Sequence, residues 1–290
     1  MKKTLYLIDA SSFIYRSFFA LPSLKSKEGL PTNAVYGFLK TLMSIIKAEN
    51  PNYMAIVFDS PAPSKREKIF KDYKAGRPSM PDPLKIQIPI IKRIVPLMGI
   101  TSFEKEGYEA DDLIASIAKK FSTTEFKVKI YTPDKDMLQL VNEKIQVVNP
   151  ATGEIFTFEK VKRKFGVPPE KIPDYLALVG DKIDNIEGIK GVGPKTAPLL
   201  IKEFGGVEGI LSRWEEFKKR FPQADANLLR RSYTLVKPML DTKIEITEED
   251  LLLKDPNLSY IKKELEKLDM KSLIKELEKI LKRKKQKSLF

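Results

Sequence analysis

The chain has 290 residues, 42% of them hydrophobic, enough to bury one large core or two smaller ones. It contains no Cys and no His, which excludes disulfides, thiolate nucleophiles, imidazole bases, zinc fingers and catalytic triads. Lys and Arg outnumber Asp and Glu by 52 to 39, a formal charge of +13 that suits a polyanionic partner.

In chain order, TLYLID (4–9) reads as a strand closed by Asp9, and YMAIVFD (53–59) as a second, closed by Asp59. The basic opening MKK precedes an apolar stretch that Asp9 cuts short, so no signal peptide is expected. No apolar run approaches the roughly 18 residues of a membrane span, and a cytoplasmic, nucleoid-associated location is expected. SKREKIFKDYKAGRP (64–78) is strongly basic and includes Lys71; read as a helix, it puts Arg66, Phe70, Tyr73 and Arg77 on one face, a mixture of cations and rings that single-stranded nucleic acid prefers. A solvated helix face is the plainer alternative. Prolines 78, 81 and 83 end that helix, and Pro89 threatens the next.

GYEADD places Glu109, Asp111 and Asp112 before a helix whose buried face carries Leu113, Ile114, Ile117, Ala118 and Phe121. Helix capping explains one or two such acids; three invite a cation. KVKIYT (127–132) is a third strand, followed by Asp134 and Asp136 in TPDKD. Alternation of strands and helices predicts an α/β fold with a mostly parallel central sheet flanked by helices, whose ligand crevice lies at the carboxyl strand ends where these acids gather.

From about residue 168 short helices and glycine turns take over. GDKIDN sets Asp181 and Asp184 three apart, and GIKGVGPKTA (188–197) has the form of a helix-hairpin-helix, with Gly191 and Gly193 letting backbone approach a phosphate and Lys195 and Thr196 adding a charge and a hydroxyl. A glycine turn without ligand is the alternative, and Pro198 threatens the helix that follows. Ile261, Leu265, Leu268, Leu273, Leu277 and Ile280 mark amphipathic C-terminal helices packed on the body, before a basic end, KRKKQKSLF. The expected division is a core over 1–165 with a basic excursion at about 61–105, a helical region over 166–280, and a flexible tail over 281–290. The Lys- and Glu-rich charge is also a composition that thermophiles favour.

Carboxylates this crowded raise one another's pKa unless cations separate them. Magnesium, a hard ion with oxygen ligands, resolves the conflict; a pair of ions about 3.5–4 Å apart would bind both the attacking water and the leaving oxygen of a phosphodiester.

LIDASSFIYRSFFAL, IVFDSPAPSKREKIFKDYKAGRP, GYEADD, TPDKD and GDKIDNIEGIKGVGPKTA together resemble, in order and spacing, the 5′-nuclease domain of bacterial DNA polymerase I, of the flap endonuclease superfamily. The resemblance implies a PIN-like 5′-nuclease fold with a helical arch and a hairpin subdomain. It implies one Mg2+ among Asp9, Asp59, Glu109, Asp111 and Asp112 and another among Asp134, Asp136, Asp181 and Asp184, with Mn2+ able to substitute. Lys74 and Arg77 would meet the scissile phosphate, Tyr73 would stack on a base, and K+ would sit at the hairpin. The implied activity is 5′ to 3′ exonuclease and 5′-flap endonuclease cutting of flaps, nicked or gapped duplexes and RNA–DNA primer junctions in primer removal and repair. The sequence stops where a polymerase would begin, so a free-standing nuclease working beside a separate DNA polymerase is expected. A non-catalytic junction-binding protein and a metal-dependent ribonuclease of related fold are the alternatives. Gln286, Leu289 and Phe290 in QKSLF resemble the peptide by which bacterial replication proteins dock on the sliding clamp.

Overall fold

A computed structural model describes residues 3–287, with side chains as far as Lys282. Among the described residues a six-stranded sheet runs through the centre: β1 (Thr4–Asp9), β2 (Tyr53–Val57), β3 (Thr101–Phe103), β4 (Lys127–Tyr131), β5 (Ile145–Val148) and β6 (Ile155–Phe156), in the order β3-β2-β1-β4-β5-β6. Every neighbouring pair is parallel except β5 and β6. The winding reverses between β1 and β4, which opens a crevice at their carboxyl ends.

Alternation along the strands loads both faces. Leu5, Leu7, Ala55, Val57, Val128 and Ile130 face one core, together with the helix Ala110–Ser122 and the helical region. Tyr6, Ile8, Met54 and Ile56 face the other, under helices Ala10–Ala20, Asn33–Glu49 and Gln87–Leu97. The predicted apolar stripe of the C-terminal helices, Ile261 to Ile280, lies in this second core. At about 1.5–3 kcal/mol for each fully buried large aliphatic side chain, that stripe holds the C-terminal helices against Asn33–Glu49 and Gln87–Leu97. A strap leads there: Leu253 N–H donates to Asn52 O, Lys254 N–H to Gly99 O and Asn257 N–H to Leu97 O.

Three expectations need correction. The last helix runs Lys271–Lys287, so residues 281–287 continue a helix where a separate tail is expected, while Leu289 and Phe290 lie outside the described residues. The helix expected across the basic excursion covers only Lys65–Ile69. Phe70 is extended, at φ −145° and ψ 108°, and Lys74 is left-handed, at φ 60°. Tertiary ties override local propensity here: Lys74 N–H donates to Asp184 O at 3.1 Å, and Asn185 Nδ2 to Asp72 O at 2.8 Å. The prolines, in contrast, break nothing. Pro89 and Pro198 fall in the first turns of Gln87–Leu97 and Thr196–Phe204, where a missing N–H costs no helical bond.

In the helical region, Ile172–Val179 and Thr196–Phe204 flank the glycine hairpin. A Cβ on Gly188 would sit 2.4 Å from the Val179 carbonyl, so backbone packs directly on backbone at that point. Gly191 adopts φ +88°, which disfavours any side chain.

Candidate metal and nucleic-acid site

The acids arrive at the crevice from separate pieces of chain. Asp9 ends β1 and caps the helix Ala10–Ala20: Ser12 N–H donates to its Oδ1 at 3.1 Å, and the Thr132 hydroxyl, just past β4, donates to Oδ2 at 2.8 Å. Asp59, exposed beyond β2, accepts from Ala110 N–H at 2.7 Å and so caps the helix that carries Asp111. Asp134 Oδ1 accepts from Asp136 N–H at 2.8 Å, folding TPDKD into a tight turn. Asp181 and Asp184 stand on a loop closed by reciprocal 2.8 Å bonds between the Asp181 and Ile186 backbones.

Their electrostatics join them into one row. Burial, then Asp59, pushes the Asp9 carboxyl up to about 6. Burial followed by Asp134 and Asp9 holds Asp111 well above the usual carboxylate range. Asp134 is raised by burial and by Asp184 and Asp181; Asp136 is raised further, by burial and then Asp134, Asp181 and Asp184. Desolvation and like charge both favour protons unless something positive enters.

A hard cation fits this row. Asp136 Oδ1 is buried and has no hydrogen-bond partner, an orphaned carboxylate oxygen among other acids. Such an atom costs free energy that a proton or a cation recovers. Among the described residues no three acids stand close enough together to hold a metal ion between them. An open crevice suits magnesium, which keeps several waters and takes only one or two carboxylates at a time.

Basic side chains meanwhile supply part of the missing charge. Lys74 Nζ lies 2.9 Å from Glu109 Oε1, Arg77 Nε donates to Asp184 Oδ1 at 3.2 Å, and Lys135 Nζ lies 3.1 Å from Asp181 Oδ2. Burial would raise Glu109, but Lys74 and Arg66 outweigh it and hold its carboxyl low. The excursion that carries Lys74 and Arg77 is thus folded down onto the acids.

The structure separates four predicted residues from their expected roles. Glu109, expected at the first metal, has Oε1 paired with Lys74 and Oε2 with Arg66. Asp112 is fully buried; its carboxylate accepts from Arg66 Nη1 at 2.9 Å and Nη2 at 2.8 Å, Met239 N–H at 2.7 Å and Glu109 N–H at 3.0 Å. No lone pair is left for a metal, so Asp112 is a structural counter-ion. Arg66, 3% exposed, also donates to Leu235 O and Lys237 O, and is too enclosed to meet nucleic acid. Tyr73 is buried, its hydroxyl 3.3 Å from Glu109 and 3.5 Å from Asp184, and its ring has no free face for a base in this conformation. Burial together with Glu109 raises its phenol. Lys71, Gly191 and Lys195 are exposed, Gly193 and Thr196 partly so, and a Cβ on Gly193 would meet open space.

Sequence reasoning missed Ser12, Thr132 and Lys135. Signals for them existed: Ser12 stands three residues after a strand-ending Asp, the N-cap spacing, and Thr132 and Lys135 are the first and fourth residues of TPDKD.

A parallel sheet that opens at its switch point onto a carboxylate row, with a glycine hairpin beside it in a basic chain, defines the class of nucleases. The chain belongs to the 5′-3′ exonuclease family: residues 4–166 match its N-terminal resolvase-like domain and residues 167–259 its C-terminal SAM fold. It is 59% identical over 288 residues to a 5′-3′ exonuclease of Aquifex aeolicus, covering 99% of this chain and 100% of that protein. To the thermostable DNA polymerase I of Thermus thermophilus it is 38% identical over 280 residues, 95% of this chain but 33% of the polymerase. The T5 5′-exonuclease with bound divalent metal ions (zinc) superposes with a TM-score of 0.66 at 21% identity, covering 97% of this chain and 99% of that one. The catalytic core of Rad2 in complex with a DNA substrate gives 0.63 at 17% identity, over 97% and 91%. These two share the fold. Among the described residues no helix is long and apolar enough to cross a membrane.

Proposed function

We propose that this chain hydrolyses phosphodiesters where a 5′ single-stranded flap meets duplex DNA, and trims 5′ ends at nicks, gaps and RNA–DNA primer junctions, with Mg2+ or Mn2+ in the crevice. The observation that carries the reading is the row of buried, mutually repelling carboxylates ending in the orphaned Asp136 Oδ1. Asp9, Asp59, Asp111 and Asp134 would surround one ion and Asp134, Asp136, Asp181 and Asp184 a second, one or two of each set binding directly and the others through water. Bound there, the ions supply charge for the attacking and leaving oxygens of an in-line displacement.

The chain's own residues do the rest. Thr132 and Ser12 fix the Asp9 carboxylate so that it need not reorganise during the reaction. Lys74 and Arg77, held at the acids by the folded-down excursion, are placed to meet a phosphate that enters the crevice. Glu109 keeps Lys74 there. The exposed Lys195 and the open backbone around Gly193 would grip duplex phosphates, with K+ on the hairpin carbonyls, so that junction shape rather than base sequence selects the cut. Residues 286–290 would dock on a sliding clamp, bringing the nuclease to a DNA polymerase at the nucleoid.

The test uses a 5′-labelled flap, a plain duplex and a single-stranded RNA, each with Mg2+ or with chelator. Metal-dependent cutting at the flap junction, lost in Asp136→Asn with junction binding retained, supports the reading. Binding without cutting makes the protein a junction binder, and preferred RNA cutting makes it a ribonuclease. Deleting residues 286–290 should abolish clamp binding and leave flap cleavage unchanged; unchanged clamp affinity refutes that part.

A further inference from the structure

Beside the acid row, away from the sheet, lies a hollow of 780 Å³, within the roughly 300–1,000 Å³ range of small-ligand sites. Lys135 and its partner Asp181, an acid of the row, line it, as do Glu187 and the hairpin residues Gly188, Ile189 and Lys190. Lys182 and the 68%-exposed Ile183 line it as well. The hollow therefore joins the place where a phosphodiester would be cut to the place where a duplex would be gripped.

Its cations differ in their partners. Lys182 and Lys190 are exposed and have no ion-pair partner among the described residues. Lys135, whose side chain is 40% exposed, reaches back 3.1 Å to Asp181, an acid of the row. Sequence position explains why it can do so. It falls between Asp134 and Asp136 on the tight turn held by the Asp136 N–H to Asp134 bond, so its backbone is fixed relative to the acids while a long flexible stem carries the ammonium. A surface lysine pairing with a nearly buried carboxylate gives up hydration for charge it can exchange, because the hollow leaves its other side open.

We propose that Lys135 is a positioning residue that seats a backbone phosphate of the strand running from the cut toward the hairpin, with Lys190 seating the next. This rests on the nuclease reading of the same acids. When Asp181 acquires another counter-charge, Lys135 is released into the hollow. Its ammonium then pairs with phosphate, fixing the strand's advance past the acids, and Ile183 packs against the sugar edge where no charge is available. The ligand class is a nucleic acid backbone phosphate, recognised without reference to base.

Two readouts other than cleavage test this. The first is the salt dependence of flap-DNA binding, measured with Ca2+ present so that Asp181 has its other counter-charge, with Lys135→Gln and Lys190→Gln. Each phosphate contact contributes roughly 0.7 to 0.9 to the slope of log K against log salt, so each variant should flatten it by nearly one. The second is Mn2+ titration without DNA: removing the ammonium from Asp181 should tighten binding severalfold in Lys135→Gln, with no change in Lys190→Gln, and Lys135→Arg should restore both wild-type values. An unchanged salt slope in Lys135→Gln, or weakened Mn2+ binding, overturns the proposal. Lys190→Gln, at an exposed position, keeps the slope test decisive if Lys135→Gln folds poorly. Loss of the nuclease reading would show separately, as wild-type protein that binds the flap without metal-dependent cutting.

Discussion

Asp112→Asn and Asp111→Asn, neighbours in one helical turn, should fail in opposite ways. The Asp112 and Arg66 side chains are 1% and 4% exposed, and the pair makes two hydrogen bonds of 2.8 and 2.9 Å. An amide at 112 leaves the guanidinium buried with Glu109 at 3.2 Å as its remaining carboxylate, and sets an N–H donor against another donor. Breaking a buried pair by removing one partner costs about 3–5 kcal/mol. Total stability is about 5–15 kcal/mol, and each kcal/mol shifts the midpoint of a 150–250-residue chain by roughly 2–4 °C, so a fall on the order of 10 °C is expected. Asp111 sits among Asp134, Asp9 and Asp59, and an amide there removes repulsion. Its unfolding midpoint in chelator should hold or rise while Mn2+ affinity drops by on the order of tenfold or more, about 1.4 kcal/mol. Circular dichroism melts in chelator and Mn2+ titrations read both effects. An Asp112→Asn protein with an unchanged midpoint and lost Mn2+ binding would show that the carboxylate is a ligand after all.

Acid titration gives a second prediction. The folded Asp9 carboxyl is raised from 3.8 to about 6, so its stabilising contribution is complete below about pH 4 and is lost as pH rises through about 6. Metal-free melts should show this loss, and Mn2+ binding should release more protons at about pH 5 than at about pH 8; equal release contradicts the raised value. Gly188→Ala should loosen the hairpin, since the new Cβ would meet backbone 2.4 Å away. Flap affinity should fall with little change in Mn2+ binding, and wild-type affinity would show that the backbone contact is dispensable. Lys195→Ala, exposed at the start of Thr196–Phe204, should weaken duplex binding and flatten its salt slope by about one, as fluorescence anisotropy at several salt concentrations would detect; an unchanged slope removes Lys195 from the interface.

How much of this was legible in the sequence depended on how local the determining interaction is. β1, β2 and β4 could be read because runs of β-formers end at acids, and the C-terminal stripe because its spacing is helical. β3 could not, because Thr-Ser-Phe offers three residues and little hydrophobic pattern, and β6 has only two. The excursion read as one helix because its composition permits that; the bonds from Asp184 and Asn185 that hold it otherwise come from more than a hundred residues away. Carboxylates also look alike in a sequence. Asp111 and Asp112 are adjacent, and only the fold turns one toward other acids and the other onto an arginine 46 residues earlier.

The distribution of charge explains how a basic chain keeps its acids folded before any cation arrives. Glu109, Asp184 and Asp181 are each matched by a side chain on a flexible stem, Lys74, Arg77 and Lys135, whereas Asp112 is matched by a guanidinium locked between backbone carbonyls. The locked pair holds the site's frame, tying the helix that begins at Ala110 to the end of Ala226–Leu235. The flexible pairs hold exchangeable charge. Asp136 has no strong match of either kind, with an unpartnered oxygen and only a modest influence from Lys135 against three acids. It is therefore a position where an entering cation displaces little protein contact and relieves repulsion from three neighbouring acids.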